Sequence, residues 1–432
     1  MQKKKIAVVG SGPGGMMAAI RAGQLSQEVT LFDKNPLLGK KLLLSGKGRC
    51  NLTNTIALEP FLKRFSKNGE FLRDAFKGFF NAELMDFFES RGLSLKIERQ
   101  QRVFPVTDSS SSIVKILEKE LARQGVKVML KAKVKDVALK DNRVAGLYLD
   151  PQGFLAFDKI ILATGGLSYA FTGSTGEGLE MAKRTGHRVI GVRPGLVPLV
   201  LKEKYPKDLE GLALKNIRIG FCAGKNKIIS EVGELLFTSF GISGPLVLTL
   251  SGKVVDWLSE EKEVYAEIDL KPGLTHEQLD ARFLREFKLN PKKGIKNIMK
   301  GLLPIKLINL FIMLAKIEPH KKANQISQSE RRLLAALLKG WRLQVSGSLP
   351  LEEGMVTQGG VSLKDIDPRT MESRLVKGLY FCGEMIDIDA DTGGFNLQAA
   401  FSTGYLAGES AAIGDGSQDK AKVSPRTVPK ST

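Results

Sequence analysis

The chain has 432 residues, which at roughly 150 residues per domain suggests two to four domains. Hydrophobic residues make up 43% and charged residues 26%, so a sizeable core can form and global disorder is excluded. The 65 basic and 46 acidic residues give +19 at pH 7, while three histidines (187, 276, 320) and three cysteines (50, 222, 382) lie too far apart for a zinc cluster or a disulfide framework.

The start, MQKKKIAVVG, runs at once from lysines into a short strand and a glycine turn, too little apolar sequence for a secretory leader. No uncharged apolar run is long enough to span a membrane. The expectation is a reduced, cytoplasmic protein. Residues 5–9 read as a buried parallel strand, short and β-branched. GSGPGG follows and places Gly10, Gly12 and Gly15 in the spacing G-x-G-x-x-G, with Pro13 and Gly14 between them. A helix is expected over 16–25, then a second strand ending at Asp33. Each part suits a dinucleotide. Gly10 permits a tight turn, Gly12 lets backbone approach a pyrophosphate, and Gly15 lets helix and strand pack closely. The helix start offers free N–H groups to phosphate, and Asp33 is placed to accept from a ribose diol.

The segment NPLLGKKLLLSGKGRCNLTN comes next. Lys40, Lys41, Lys47 and Arg49 alternate here with small residues and with Gly39, Gly46 and Gly48, and Lys34 stands just before the segment. The bland reading is a solvated basic loop; the sharper one is a loop whose cations and amides close over a diphosphate or an anionic ring. Cys50 has no nearby partner and reads as a packing residue. A helical, phenylalanine-bearing stretch is expected over 61–91, and strands joined by a turn over 125–150. Residues 159–163 read as another buried parallel strand, and Ala163, Thr164, Gly165 and Gly166 stand at its carboxyl end, where ligands of such sheets sit. A helix over 176–184 follows without a second dinucleotide spacing.

From about 190 the character changes. Strand-like runs at 193–201, 216–222, 227–230 and 264–269 suit a small barrel or sandwich. Three helical stretches follow between 274 and 340, over 274–287, 294–317 and 327–340, the last opening on a capping box at Ser327 and Glu330. These suit either a structural insert or a substrate wall over a cofactor domain. Residues 378–382 then form a strand, and Gly383, Glu384 and an aspartate-bearing loop (387, 389, 391) lead to Gly393, Gly394, Phe395, Asn396, Leu397 and Gln398 at the head of an apolar helix. Asp387 suits a polyol hydroxyl, and amides near Asn396 and Leu397 suit a carbonyl of a redox ring. The D-x-D-x-D pattern lacks the glutamate and helix pair of a calcium loop, so a metal site is not expected. Residues 415–432 read as a disordered basic tail.

Together these segments resemble the two-dinucleotide-binding-domain flavoproteins of the glutathione-reductase-like superfamily. More narrowly, the chain is similar to the bacterial family that includes aminoacetone oxidase and flavoproteins linked to bile-acid dehydroxylation. The resemblance rests on GSGPGG, GKKLLLSGKGRCNLTN, ATGG, TGSTGEG, ELLFTSFGISGP, GGV at 359–361, DPRTMESRLVKGLYFCGE and TGGFNLQAA, and Ser239 and Ala390 stand where relatives carry histidine and glycine. It implies an α/β fold: a Rossmann-like FAD-binding domain interrupted by a β-barrel and a helical insert. The expected division is 1–190 and 353–414 for the FAD domain, 191–274 and 339–352 for the barrel, and 275–338 for the helices. It implies FAD as cofactor, held by the first glycine turn, Asp33, the 40–51 loop including Asn51, the Val134 backbone, Gly165, Gly383–Glu384 and residues 394–398. The implied activity is hydride transfer between flavin and a small organic substrate or NAD(P)H; no general base stands out. The alternative is a flavin-containing protein that binds or modifies RNA, drawing on the +19 charge. Aromatics are only 7% and show no stacking cluster, so the charge reads as solvated surface and nucleic acid is not the expected partner. A third reading is a cofactor-binding regulator without turnover.

Overall fold

The computed structural model describes residues 3–413; the tail expected over 415–432 lies outside them. The described chain separates into two compact units, one built from residues up to 192 and from 359 onward, the other from 193–358.

The first unit is organised by a five-stranded parallel sheet. Its elements in chain order are β1 (Lys5–Val9), α1 (Pro13–Gln24), β2 (Glu28–Phe32), α2 (Ser110–Arg123), β3 (Lys127–Met129), β4 (Lys159–Leu162), α3 (Glu177–Arg184), β5 (Leu379–Phe381) and α4 (Phe395–Ile413). The strand order is β5-β4-β1-β2-β3. Apolar β-branched strands flanked by helices bury both faces, and Ile6, Ala7, Val8, Ile160, Ile161 and Leu162 are fully buried. The register aligns Val9 with Leu162 on one side and with Phe32 on the other, and Leu162 with Phe381. Gly10, Asp33, Ala163 and Cys382 therefore follow strands that end at one edge. The order reverses between β1 and β4, and ligands of open α/β sheets bind at such a crevice.

Helix α1 begins at Pro13, three residues before the expected start, because proline at the first helical position has no N–H to leave unsatisfied and a φ already set. The phenylalanine-bearing stretch is not one helix. It breaks into Leu58–Leu62, Arg73–Gly78 and Asn81–Glu89, with Asn68 in the left-handed region at the break. Its rings gather instead around Phe61, which meets Phe76, Phe80 and Phe395 at centroid distances of 5.3, 5.0 and 4.7 Å. The run over 125–150 gives β3 and the first two strands of an antiparallel meander, Lys133–Lys140, Arg143–Asp150 and Gly153–Ala156.

The second unit is a closed six-stranded barrel. Strands Ala213–Ala223, Gly233–Thr238, Gly241–Ser243, Leu199–Leu201, Trp341–Ser348 and Val264–Asp269 pair in that order, and the last pairs back onto the first. Alternating residues fill it, among them Ile219, Phe221, Ala266, Ile268 and Leu343. The expected single strand over 193–201 is two, Val189–Gly195 and Leu199–Leu201, because Leu196 turns to φ +50° and Pro198 cannot donate to a ladder. The expected helix over 294–317 is also two, Ile295–Met299 and Ile305–Leu314, since Pro304 forces the preceding residue out of the helical region. Helices His276–Leu289 and Gln328–Lys339 start on capping boxes, the second at Ser327, whose N–H donates to Glu330 and whose Oγ accepts from the Glu330 N–H. Among the described residues no helix is long and apolar enough to cross a membrane.

One buried group makes the first unit sensitive to acid. His187 lies at the end of α3, with Nε2 2.6 Å from Ser373 Oγ and Nδ1 3.0 Å from Thr185 Oγ1. Burial disfavours the charged ring and holds its pKa below 6.5, against a weaker opposing pull from the Ala182 carbonyl. The unfolded chain then binds more protons than the fold in the window below 6.5, so this contribution is complete above 6.5 and is lost as pH falls toward the lower folded value. Melting temperature is expected to fall between pH 7.5 and 5.5, and to fall less in His187→Gln; equal slopes for the two proteins would refute the assignment.

Candidate functional site

The glycine turn between β1 and α1 divides into positions the fold needs and one it does not. Gly10 has φ +102°, and a side chain there would sit 2.5 Å from the Ala163 carbonyl oxygen. A side chain at Gly15 would overlap the Gly10 carbonyl. One at Gly14 would press on the Ala400 carbonyl oxygen at 3.0 Å and touch the Gly383 Cα at an ordinary 3.5 Å. Gly12 is different: its φ is −69°, open to any residue, and nothing lies within 4 Å of the place its Cβ would take. It caps α1, and the N–H groups of a helix's first turn have no acceptor within the helix.

Asp33 anchors this turn. Its carboxylate accepts from Ser11 N–H at 2.8 Å, Ser11 Oγ at 2.5 Å and Asn35 N–H at 2.8 Å. Asn35 Nδ2 donates to the same carboxylate at 3.0 Å, so four donors meet the about four lone-pair sites of its two oxygens. The Asp33 carbonyl accepts from Ala132 at 2.9 Å, which brings the Val134 backbone, two residues on, toward the same end of β2. Ser11 carries no motif signal, but a hydroxyl inside a glycine turn facing a strand-end carboxylate is a legible pair in retrospect.

The basic loop is tied to the protein. Lys34 donates to Thr175 Oγ1 and Glu177, and Lys40 to the Phe171 carbonyl, each at 2.6 Å. Lys41 reaches Ser168 Oγ and Glu384, both at 2.6 Å. Arg49 pairs with Glu98 and Asp108 and lies over the Phe104 ring at 4.2 Å. These cations thus pin the loop to the segment after β4, to Glu384 and, through Glu98, to the three-stranded sheet of Thr53–Asn54, Arg102–Pro105 and Leu95–Glu98. Gly46 is left-handed, and a side chain there would press on the Asn51 amide nitrogen at 2.7 Å. Cys50 is fully buried at φ +61°, and burial pushes its thiol up to about 12; Cys382, also buried, is pushed up to about 12. Both stay protonated near neutral pH and behave as packing residues. Asn51, in the amide orientation that satisfies both ends, accepts from the Gly394 N–H at 3.0 Å and donates to the Thr53 and Val103 carbonyls.

The carboxyl ends of β4 and β5 complete the frame. Ala163 is buried, and its N–H donates to the Val9 carbonyl at 2.8 Å. Thr164 Oγ1 is buried without a partner beside Gly178, where a side chain would overlap it. Gly165 is left-handed, and a side chain there would lie 3.9 Å from Glu384 Oε2. Ser168 Oγ donates to Glu384 at 2.8 Å. The left-handed Gly383 donates its N–H to Thr403 Oγ1 at 3.0 Å. Val361 of the GGV segment accepts from the Asp387 N–H at 3.0 Å, and Gly360 lies against Met385.

At the head of α4, side chains and backbone face different ways. Gln398 is fully buried; it accepts from Thr53 Oγ1 at 2.6 Å and donates to Ser402 Oγ at 2.9 Å. Phe395 joins the phenylalanine cluster, Leu397 is half-buried, and Asn396 closes the aspartate loop by bonding Ala390 N–H and carbonyl at 2.9 and 2.8 Å. Asp389 accepts from Ser66, and Asp391 lies 3.7 Å from Arg64. What this helix offers a ligand is therefore the backbone of its first turn, with the positive end of its dipole. Behind it, Gly404 and Gly408 lie against Gly14 and Ala18 of α1 so closely that a side chain at either would overlap a carbonyl oxygen. That seam brings the two glycine-headed helices together. The i, i+4 spacing of Gly404 and Gly408 was its signal in the sequence.

Three comparisons bear on this frame. Residues 4–410 match the family described as HI0933-like protein Rossmann domain. The chain is 32% identical over 410 residues to a 3-dehydro-bile acid delta(4,6)-reductase of Clostridium scindens, covering 94% of this chain and 99% of that protein. It is also 32% identical over 411 residues to a ribosomal RNA dihydrouridine synthase of Escherichia coli, covering 95% and 98%. Among solved structures, a 3-ketosteroid delta1-dehydrogenase of Sterolibacterium denitrificans superimposes with a TM-score of 0.51 at 13% identity, covering 96% of this chain and all of that one, a likeness of fold. With its parallel sheet, glycine turn and interrupting barrel matched from end to end, the chain belongs to the HI0933-like Rossmann-domain family.

Proposed function

We propose that this protein is an FAD-dependent oxidoreductase that reduces a carbon–carbon double bond conjugated to a carbonyl, with NAD(P)H as hydride donor. The observation that carries the cofactor is Gly12. Gly10 and Gly15 are glycines because a side chain there collides with backbone, whereas Gly12 faces open space at a helix start. A glycine there is explained by what binds against it, and backbone N–H groups at a helix N-terminus are the donors a pyrophosphate takes. The first-turn amides of α1 would hold the diphosphate, Asp33 the ribose and the Val134 backbone the adenine side. Gly165, Gly383–Glu384, Asp387 and the first turn of α4 would hold the far end. Bound FAD supplies the hydride chemistry. The chain supplies position: Lys41, Ser168 and Glu384 fix the loop after β4 against the turn after β5, and α4 points its positive end at whatever acceptor oxygen lies before it.

Two relatives support the choice of reaction. A bile acid delta(4,6)-reductase and a dihydrouridine synthase are named for adding two hydrogens across a ring double bond beside a carbonyl. The purified protein is expected to be yellow, to bleach anaerobically with NADH or NADPH, and to regain its absorbance when a conjugated enone or a uracil-bearing substrate is added. A colourless protein that FAD does not reconstitute overturns the proposal.

A second reading concerns what carries the double bond. The +19 charge and the two relatives named as ribosomal RNA dihydrouridine synthases favour a base within RNA over a free small molecule. Buried phenylalanines and a low aromatic content argue against stacking on the protein surface, but not against contacts to phosphate.

A further inference from the structure

We infer that the helical segment 275–340 of the second unit is a docking surface for the phosphate backbone of helical RNA; this rests on the reading in which the substrate is a base within RNA. The positive charge of that unit is segregated. Residues 275–340 hold fourteen lysines and arginines against five aspartates and glutamates, whereas the rest of 193–358 holds twelve against thirteen. A solvated surface needs no such division, since both signs interspersed serve solubility as well.

The structure pairs two of these five acidic residues internally. Asp280 is paired with Arg331 at 2.7 Å and Glu330 with Lys321 at 2.7 Å, while Lys339 is satisfied by Asp269 of the barrel at 2.7 Å. Arg285, Lys288, Lys293, Lys300 and Lys322 remain exposed, and among the described residues none is within ion-pair distance of a carboxylate. They are also grouped. Arg282 and Arg285, one helical turn apart, line a hollow of about 460 Å³ with Gln278 and Glu286, and Arg282 reaches the Gly301 carbonyl beside Lys300. Four residues past the end of that helix, the Ala323 N–H donates to the Lys293 carbonyl at 3.0 Å, which sets Lys293 beside Lys322.

The surface also indicates which form of RNA it suits. Phe283, Phe287 and Phe311 of this segment are all buried, so it offers no platform for unstacked bases. Cations without aromatic rings read phosphates, and an A-form helix presents phosphates while its bases are stacked away. Leu284, Leu289, Ile305 and Met313 are exposed on the same segment, which makes an anionic membrane surface the competing partner to be separated by experiment.

The test uses the full-length flavin-loaded protein and three probes: an RNA hairpin of about 20 base pairs, single-stranded oligouridylate, and vesicles of phosphatidylglycerol. The hairpin is expected to bind more tightly than oligouridylate, with affinity falling steeply as potassium chloride rises. The triple variant Arg285→Glu, Lys293→Glu, Lys322→Glu is expected to bind it at least about tenfold more weakly and to lose about one unit of salt slope per residue. Its melting temperature, flavin content and rate of reduction by NAD(P)H are expected to match the parent. Hairpin binding that the triple variant retains overturns the surface while leaving the RNA reading intact. No hairpin binding by the parent overturns both, and leaves the flavin reading to its own spectrum. Preference for oligouridylate, or binding to vesicles in place of RNA, also overturns it.

Discussion

Gly12→Glu is expected to give a folded, colourless protein, whereas Gly15→Ala is expected to give a poorly folded one. The conservative change is the more damaging to the fold because the two glycines are required by different things. At Gly15 a single methyl group overlaps the Gly10 carbonyl oxygen, and turn and helix must separate to admit it. Overpacking of that kind costs on the order of 2–4 kcal/mol. At position 12 the φ of −69° suits any residue, the Cβ meets nothing within 4 Å, and a carboxylate at a helix start is favourable. The same carboxylate would occupy the diphosphate's place with like charge. Flavin affinity is expected to fall by about a hundredfold or more, some 3 kcal/mol. Urea unfolding of the flavin-free proteins measures the first quantity and FAD titration the second. A Gly12→Glu protein that keeps its FAD removes the central argument for the cofactor site.

The second large effect lies away from any ligand contact. Gly404→Leu is expected to destabilise the first unit by on the order of 3 kcal/mol or more and to abolish flavin retention with it, while Gly404→Ala gives a smaller loss of both. Even the first added carbon overlaps the Gly14 carbonyl oxygen, so α1 and α4 must move apart. The start of α4 then leaves its place beside the glycine turn, and the two sets of helix-start amides no longer address one molecule. Thermal unfolding followed by flavin fluorescence and by circular dichroism reads the two losses together. A Gly404→Leu protein with unchanged melting temperature would show that the seam does not hold the two helices.

These two experiments separate what lies in the sequence from what lies in the packing. The G-x-G-x-x-G turn, the apolar parallel strands and the Ser327 capping box were legible in the sequence, because each follows from local constraints: a positive φ, a run of β-branched residues, a hydroxyl three residues before a glutamate. The breaks at Pro198 and Pro304 were legible too, and reading through them joined elements that the two prolines keep apart.

The closure of the barrel was decided only in three dimensions, since it depends on residues 213–223 meeting 264–269. The same holds for the cations of the 34–49 loop, whose partners are Glu98, Asp108, Ser168, Glu177 and Glu384. Gln398 makes the distinction plainest: spacing placed it at a ligand-facing helix start, and Thr53 and Ser402 draw its side chain into the core. A sequence records which groups each residue carries and which backbone angles it tolerates. Which distant acceptor a long polar side chain meets is set by the approach of whole elements, and that approach is chosen by the summed burial of their apolar faces.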